Sequence, residues 1–113
     1  MTLGEIITYA DGVKPNAFSP EDKVLWLNEL EYELQADVFG QVEGFEAHTW
    51  EDDGQDEEML LPEAWHKLYY TYLEARILAA EGEWSEYQNA VALYNAFRGE
   101  YERWYSHNFI DEE

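Results

Sequence analysis

The sequence contains no cysteine, few basic residues and no long apolar run. Without cysteine the chain can form no disulfide, thiolate nucleophile or cysteine-bound metal site, so an intracellular protein is the expectation. No apolar run approaches the roughly 18 residues that a membrane-spanning helix needs. The first residues also lack the basic and apolar regions of a signal peptide, so we expect neither export nor membrane insertion.

The shortage of basic residues gives the chain a strongly acidic balance. Six Lys and Arg residues face 26 Asp and Glu residues, for a formal net charge of −20. Such a chain repels the DNA backbone instead of releasing its counterions. Three interpretations of the charge stay open: high solubility, a surface that faces DNA or a basic partner without gripping DNA, and mimicry of DNA.

Helical periodicity and capping residues predict an all-α fold, a small bundle of about four helices. At 113 residues the chain is expected to form a single domain, residues 1–113. Lys14 precedes Pro15, which ends the first helix, and Ser19 with Pro20 starts the second. The third helix is apolar on two faces and should be the central one. The predicted helices cover residues 2–13, 19–39, 62–81 and 85–106.

Residues 40–61 lack a stable period and predict a long acidic loop between the second and third helices. The segment holds three glycines and the acidic run 51–58. We expect Phe45 and Trp50 to pin parts of this loop to the core. A strand hairpin over residues 42–50 is the alternative.

Aromatic residues are abundant, with five Trp, nine Tyr and five Phe. Core packing is one explanation, but aromatic side chains also favour protein interfaces. A C-terminal cluster of Tyr101, Trp104, Tyr105 and Phe109 would become a subunit contact if it is partly exposed. The candidate interface residues are therefore Phe45, Trp50, Tyr101, Trp104, Tyr105 and Phe109.

The sequence offers little material for chemistry. Glu63 and His66 have the spacing used by di-iron helical bundles, but there is no second Glu-x-x-His in the chain. No nucleophile turn, Walker loop or dinucleotide fingerprint is present. We therefore expect no catalytic residue, metal or cofactor, and no enzymatic activity. Glu74, on the apolar third helix, should need an ion-pair partner, for which Arg98 and Arg103 are candidates.

Two groups of turn and packing residues, one in each half of the chain, carry a family resemblance. The first group is Lys14-Pro15-Asn16, Phe18-Ser19, Lys23 and Trp26-Leu27-Asn28-Glu29-Leu30. The second is Leu60-Leu61-Pro62, Leu68-Tyr69, Tyr72-Leu73-Glu74-Ala75, Ile77, Glu81-Gly82-Glu83, Tyr87, Asn89, Tyr94-Asn95 and Phe97. With these residues the chain resembles head–tail connector proteins, the head-completion or adaptor proteins of phages and prophages of Gram-positive bacteria. The similarity covers most of the chain and is weakest in the acidic loop.

The resemblance implies a mostly helical structural virion protein without enzymatic activity. Its copies would assemble as a ring on the portal protein after DNA packaging and would contact a tail-side or stopper protein. It would lie at the head–tail junction of the virion, and in the host cytoplasm during assembly. DNA would pass nearby without specific binding, which agrees with a duct of like charge.

The alternative function is an acidic DNA mimic that inhibits a basic nucleic-acid-binding protein. Clustered acids on the second helix motivate it, since carboxylates along a helix can occupy a basic groove. These acids are Glu29, Glu31, Glu33 and Asp37.

Overall fold

A computed structural model describes residues 1–50 and 56–110 of the chain. In these residues the fold is all-α with four helices, which confirms the predicted fold class. The helices are α1 (Leu3–Val13), α2 (Pro20–Leu34), α3 (Lys67–Glu81) and α4 (Trp84–Tyr105). Two π-helical turns extend α2 and α4, at Gln35–Phe39 and Ser106–Ile110, and a 3₁₀ turn precedes α3 at Glu63–Trp65.

The described part of the chain contains no strand, only an isolated antiparallel bridge between Thr2 and Glu58. The hairpin considered for residues 42–50 is therefore absent. None of the helices in the described residues combines the length and the hydrophobicity of a membrane-spanning segment.

The turn between α1 and α2 is closed by side-chain hydrogen bonds. The Asn16 amide donates to the Lys14 carbonyl at 2.9 Å, and its oxygen accepts from the Phe18 amide at 3.1 Å. Ser19 then caps α2, because its Oγ accepts from the Asp22 amide at 3.2 Å. The helix end and helix start predicted in this turn are confirmed.

An ion pair between the buried Lys23 and the partly exposed Asp11 joins α2 to α1. Lys23 is 2% exposed, and its Nζ lies 2.7 Å from Asp11 Oδ1. A buried ammonium group is tolerated only where a partner compensates its charge. Asp11 therefore compensates the Lys23 charge at the contact between the two helices.

The start of α3 differs from the prediction, which placed it at residue 62. Pro62 is extended, with ψ at 154°, and the α-helix begins only at Lys67. The buried His66 ring holds the preceding turn, because its Nε2 donates to the Leu61 carbonyl at 2.9 Å. At the other end Gly82, with φ at 74°, ends α3 in the left-handed conformation that glycine favours.

The third helix is the centre of the fold, as predicted. It packs against each of the other three helices. Four of its side chains are 0% exposed, namely Leu68, Tyr69, Leu73 and Ile77. Leu27, Leu30 and Leu34 of α2 and Leu3 and Ile6 of α1 are also fully buried and complete the centre of the core.

Candidate functional site

The end of α4 and the turn after it form one wall of an apolar groove, which we call the aromatic groove. Its volume is about 210 Å³. The other wall comes from the end of the π-helical turn after α2 and from residues 60–62. The lining residues are Phe39, Val42, Leu60, Leu61, Pro62, Tyr101, Trp104, Tyr105 and Phe109.

Stacked aromatic rings shape the C-terminal wall of the aromatic groove. The Phe109 ring stacks on Tyr105 with centroids 4.9 Å apart and lies 5.5 Å from Trp104. Tyr105 also reaches across to Phe39, at 5.6 Å. Phe109 is 58% exposed, so the rim of the groove presents a large apolar side chain to solvent. An apolar groove with an exposed aromatic rim is typical of an association surface.

The structure brings together four of the six predicted interface residues. Trp104, Tyr105 and Phe109 line the groove, as does Tyr101. Tyr101, however, is 2% exposed and packs edge-on against Trp65, so it serves mainly as a core residue. Burial raises the pKa of Tyr101 to about 12.

Phe45 and Trp50 lie away from the groove lining. Phe45 is half-buried and packs edge-on against Tyr32 with ring centroids 5.3 Å apart. Trp50 is half-buried against the main core and shares a separate cavity with Tyr9. Both side chains therefore attach residues 40–50 to the helices.

Arg98 of α4 forms ion pairs with three carboxylates. Its guanidinium binds Glu33, lies 3.0 Å from Asp37 Oδ2 and donates from Nε to Glu102 at 2.9 Å. Partial burial lowers the pKa of Arg98, but the bonds to Glu33 and Glu102 outweigh burial and raise it. The expected Glu74–Arg98 pair is not among the ion pairs of the described residues, because Arg98 faces these other acids.

The four acids proposed for DNA mimicry do not form a free array. Glu29 Oε2 lies 3.2 Å from Arg76 Nη1, while Glu33 and Asp37 bind Arg98. Glu31 is 0% exposed, which contradicts its placement among the surface acids. The carboxylates that motivated the DNA-mimic hypothesis are therefore paired or buried.

Glu31 is the centre of a buried polar network that connects three parts of the chain. Its Oε1 lies 2.6 Å from His48 Nε2, and its Oε2 accepts from the Tyr69 hydroxyl at 2.5 Å. The Leu60 amide donates to the same Oε2 at 2.9 Å. These three donors satisfy the buried carboxylate.

The His48 ring faces a carboxylate on each side. Its Nδ1 lies 2.8 Å from Glu57 Oε1, opposite the contact with Glu31. Only the imidazolium form can donate from both nitrogens. Burial lowers the pKa of His48, but the hydrogen bonds and charges of Glu31 and Glu57 outweigh burial and raise it above 6.5.

Further hydrogen bonds fasten the chain around this network. Asn28 of α2 pairs with the His48 backbone, donating to its carbonyl at 3.0 Å and accepting from its amide at 2.8 Å. The Tyr69 hydroxyl accepts from the Leu61 amide at 2.9 Å. The network thus positions Leu60 and Leu61, which are part of the groove wall.

Reasoning from the sequence did not find this network. His48 and Glu57 lie in a segment without periodicity, and Tyr69 was assigned to packing alone. One signal was available: Glu31 follows Leu27 by four residues and precedes Leu34 by three, which places it on the apolar face of α2.

Glu63 and His66, the pair with metal-ligand spacing, face the nitrogen of Met1. That nitrogen lies 2.8 Å from Glu63 Oε1 and 3.0 Å from His66 Nδ1. The contact with the Met1 ammonium lowers the pKa of Glu63, and burial lowers that of His66. In the residues that the structure describes, no three His, Asp or Glu side chains are grouped as a metal site.

Comparison of the chain with protein-family models, curated proteins and solved structures finds no match.

Proposed function

We propose that this chain is a structural subunit of a phage head–tail connector, which assembles as a ring of identical copies on the portal protein and receives a tail-side or stopper protein. The all-α fold supports the proposal, since the resemblance implies a mostly helical subunit. The resembling residues have structural roles: Asn16 closes a turn, Ser19 caps α2 and Leu73 is fully buried.

The aromatic groove is the observation that carries the proposal. In a ring, each copy presents one surface to the next copy and a different surface to the previous one. An apolar groove beside the exposed Phe109 ring offers the apolar area that such a contact buries. In this proposal the long acidic loop expected between α2 and α3 also contributes to the contacts with neighbouring copies and the portal protein.

The charge distribution agrees with a site past which DNA moves. Within the residues that the structure describes, five of the six Lys and Arg residues form ion pairs, and these are Lys14, Lys23, Lys67, Arg76 and Arg98. Internal pairing leaves few cations to attract phosphate, while the formal charge remains −20. Such a surface repels the DNA backbone and would not retain it.

The test is assembly with a portal protein, followed by native mass spectrometry and electron microscopy. The wild-type chain should form a ring on the portal. Phe109→Ser removes the exposed ring of the groove and should weaken assembly at least about tenfold, as expected for an interface anchor. Trp84→Ser is the matched control, because Trp84 is 59% exposed at the opposite end of α4. Unbound monomer in every mixture with portal would overturn the proposal.

The DNA-mimic alternative predicts a different result. A mimic should compete with DNA for a basic DNA-binding protein, and salt should weaken that competition strongly. Since Glu29, Glu33 and Asp37 are paired and Glu31 is buried, we expect no such competition at low salt.

A further inference from the structure

We propose that His48 is a pH-dependent latch, which holds the wall segment (residues 56–61) against α2 while its imidazolium bridges Glu31 and Glu57, and which weakens this hold when the imidazole loses its proton. The latch acts within one chain and does not require assembly into a ring of subunits. Only its consequence for assembly, a change in the aromatic groove, rests on the proposed function.

The first step is the position of the ring between two elements. His48 is 7% exposed, and its backbone is held on α2 by the Asn28 amide. From this fixed position one nitrogen reaches Glu31 of α2 at 2.6 Å and the other reaches Glu57 of the wall segment at 2.8 Å. The ring is therefore a direct side-chain bridge from α2 to the wall segment.

The second step is the number of protons that this bridge requires. A neutral imidazole carries one N–H, so it can donate to only one of the two carboxylates. The one remaining N–H should donate to Glu31, because Glu31 is fully buried and an unpaired buried carboxylate is the costlier state. Glu57 then faces an imidazole nitrogen that has no hydrogen, and the Glu57 side chain loses its link to α2 through His48.

The groups around the ring favour the closed state. Glu43, Glu46 and Glu58 line the shallow cavity at His48 together with Glu57. On the inner side the Tyr69 hydroxyl of α3 donates to Glu31, which lies between it and the His48 ring. The Glu31 and Glu57 carboxylates stabilise the imidazolium, and none of the other groups named here supplies a replacement cation.

The third step connects the latch with the groove. The wall segment contains Leu60 and Leu61, which line the aromatic groove, and its position depends on Glu31 through the Leu60 amide. The Leu61 amide is held by the Tyr69 hydroxyl at 2.9 Å. Loss of the Glu57 side-chain contact leaves these two amide bonds to the network, beside the bond of 2.9 Å from the Leu3 amide of α1 to the Glu57 carbonyl. Their opening should become more frequent, and the groove wall should loosen with it.

Hydrogen exchange measured by NMR tests the latch in the full chain without a portal protein. The readouts are the protection factors of the Leu60 and Leu61 amides at about pH 6 and about pH 9, together with titration of the His48 ring resonances. The α3 amide of Leu73 is the internal reference. The variants are His48→Gln, Glu57→Gln and, as a matched control, His107→Gln on an exposed turn.

In the wild type, protection of both amides should fall at least about tenfold across the titration of His48, the size expected when a charge-assisted bond is lost. His48→Gln should show low protection at both pH values, while His107→Gln should match the wild type. Constant protection while His48 titrates would overturn the proposal, and so would an unchanged pH dependence in His48→Gln. If His48→Gln does not fold, Glu57→Gln decides, because it must lose the pH dependence at these amides and keep the Leu73 reference.

The two proposals can fail separately. If amide protection follows the titration of His48 but the chain forms no ring of subunits, the latch is supported and the connector proposal is rejected. If the chain forms a ring of subunits but protection of the Leu60 and Leu61 amides does not change with pH, the connector is supported and the latch is rejected.

Discussion

Replacement of Tyr69 by Phe measures how much the buried network contributes to stability. The Tyr69 side chain is 0% exposed, so phenylalanine keeps the ring packing and removes only the hydroxyl. That hydroxyl donates to Glu31 at 2.5 Å and accepts from the Leu61 amide at 2.9 Å. Burial and the adjacent Glu31 carboxylate raise the pKa of Tyr69 well above 10, so it stays a donor at all ordinary pH values.

The magnitude follows from the two hydrogen bonds that are lost: the Leu61 amide loses its acceptor, and Glu31 Oε2 loses one donor while it keeps the Leu60 amide. A buried polar group left unsatisfied costs about 1–3 kcal/mol, and a charged one costs more. With one carboxylate oxygen and one amide affected, we expect the free energy of unfolding to fall by about 2–5 kcal/mol. This is a large fraction of the roughly 5–15 kcal/mol that stabilises a typical domain.

Urea unfolding followed by far-ultraviolet circular dichroism measures this loss. Tyr32→Phe is the matched control, because Tyr32 is 53% exposed and its change should stay within about 0.5 kcal/mol. A loss below about 1 kcal/mol for Tyr69→Phe would refute the reasoning, since it would mean that water or a rearrangement satisfies both groups.

Three further predictions concern the core, a cap and pH. Leu73→Ala, at a fully buried position of α3, should cost about 2–5 kcal/mol in urea unfolding; a thermal shift near zero would contradict a central α3. Ser19→Ala should cost about 1 kcal/mol by the same measurement, whereas Ser85→Ala, in the first turn of α4, should cost less. The unfolding free energy should fall as pH rises from about 6.5 through the raised pKa of His48, because the folded state holds that proton more tightly. In His48→Gln the unfolding free energy from urea titrations should no longer fall with pH across this range. His66, whose pKa is lowered by burial, contributes a pH dependence only below about pH 6.5.

The helices could be predicted because their signals are local. Thr2 and Glu5 form the capping box that their spacing indicates, with bonds of 3.3 Å and 2.8 Å. Pro15 and Ser19 mark a helix end and a helix start within five residues of each other, and Gly82 ends α3 by its positive φ. Such features depend on neighbours within one turn, so no knowledge of the fold is needed.

Predictions failed where a distant residue decides the local structure. Pro62 has the φ of a helix start, yet α3 begins later, after a turn in which the buried His66 ring binds the Leu61 carbonyl. Likewise Arg98 is one of two candidate partners that the sequence offers for Glu74, but the packing of α4 brings it to Glu33 of α2 instead. Periodicity assigns residues to a face of a helix and does not identify the residue that lies opposite.

Glu31 shows which part of a buried site a sequence can reveal. Glu29, Glu31 and Glu33 alternate along α2, but only Glu31 shares the apolar face with Leu27 and Leu34. A carboxylate on that face must find donors elsewhere in the chain, since a bare buried charge is too costly. The chain has only six Lys and Arg residues and three His residues to supply a cation. Among the described residues five of those six cations pair with other acids, and the cationic partner of Glu31 is the His48 ring, whose charge responds to pH.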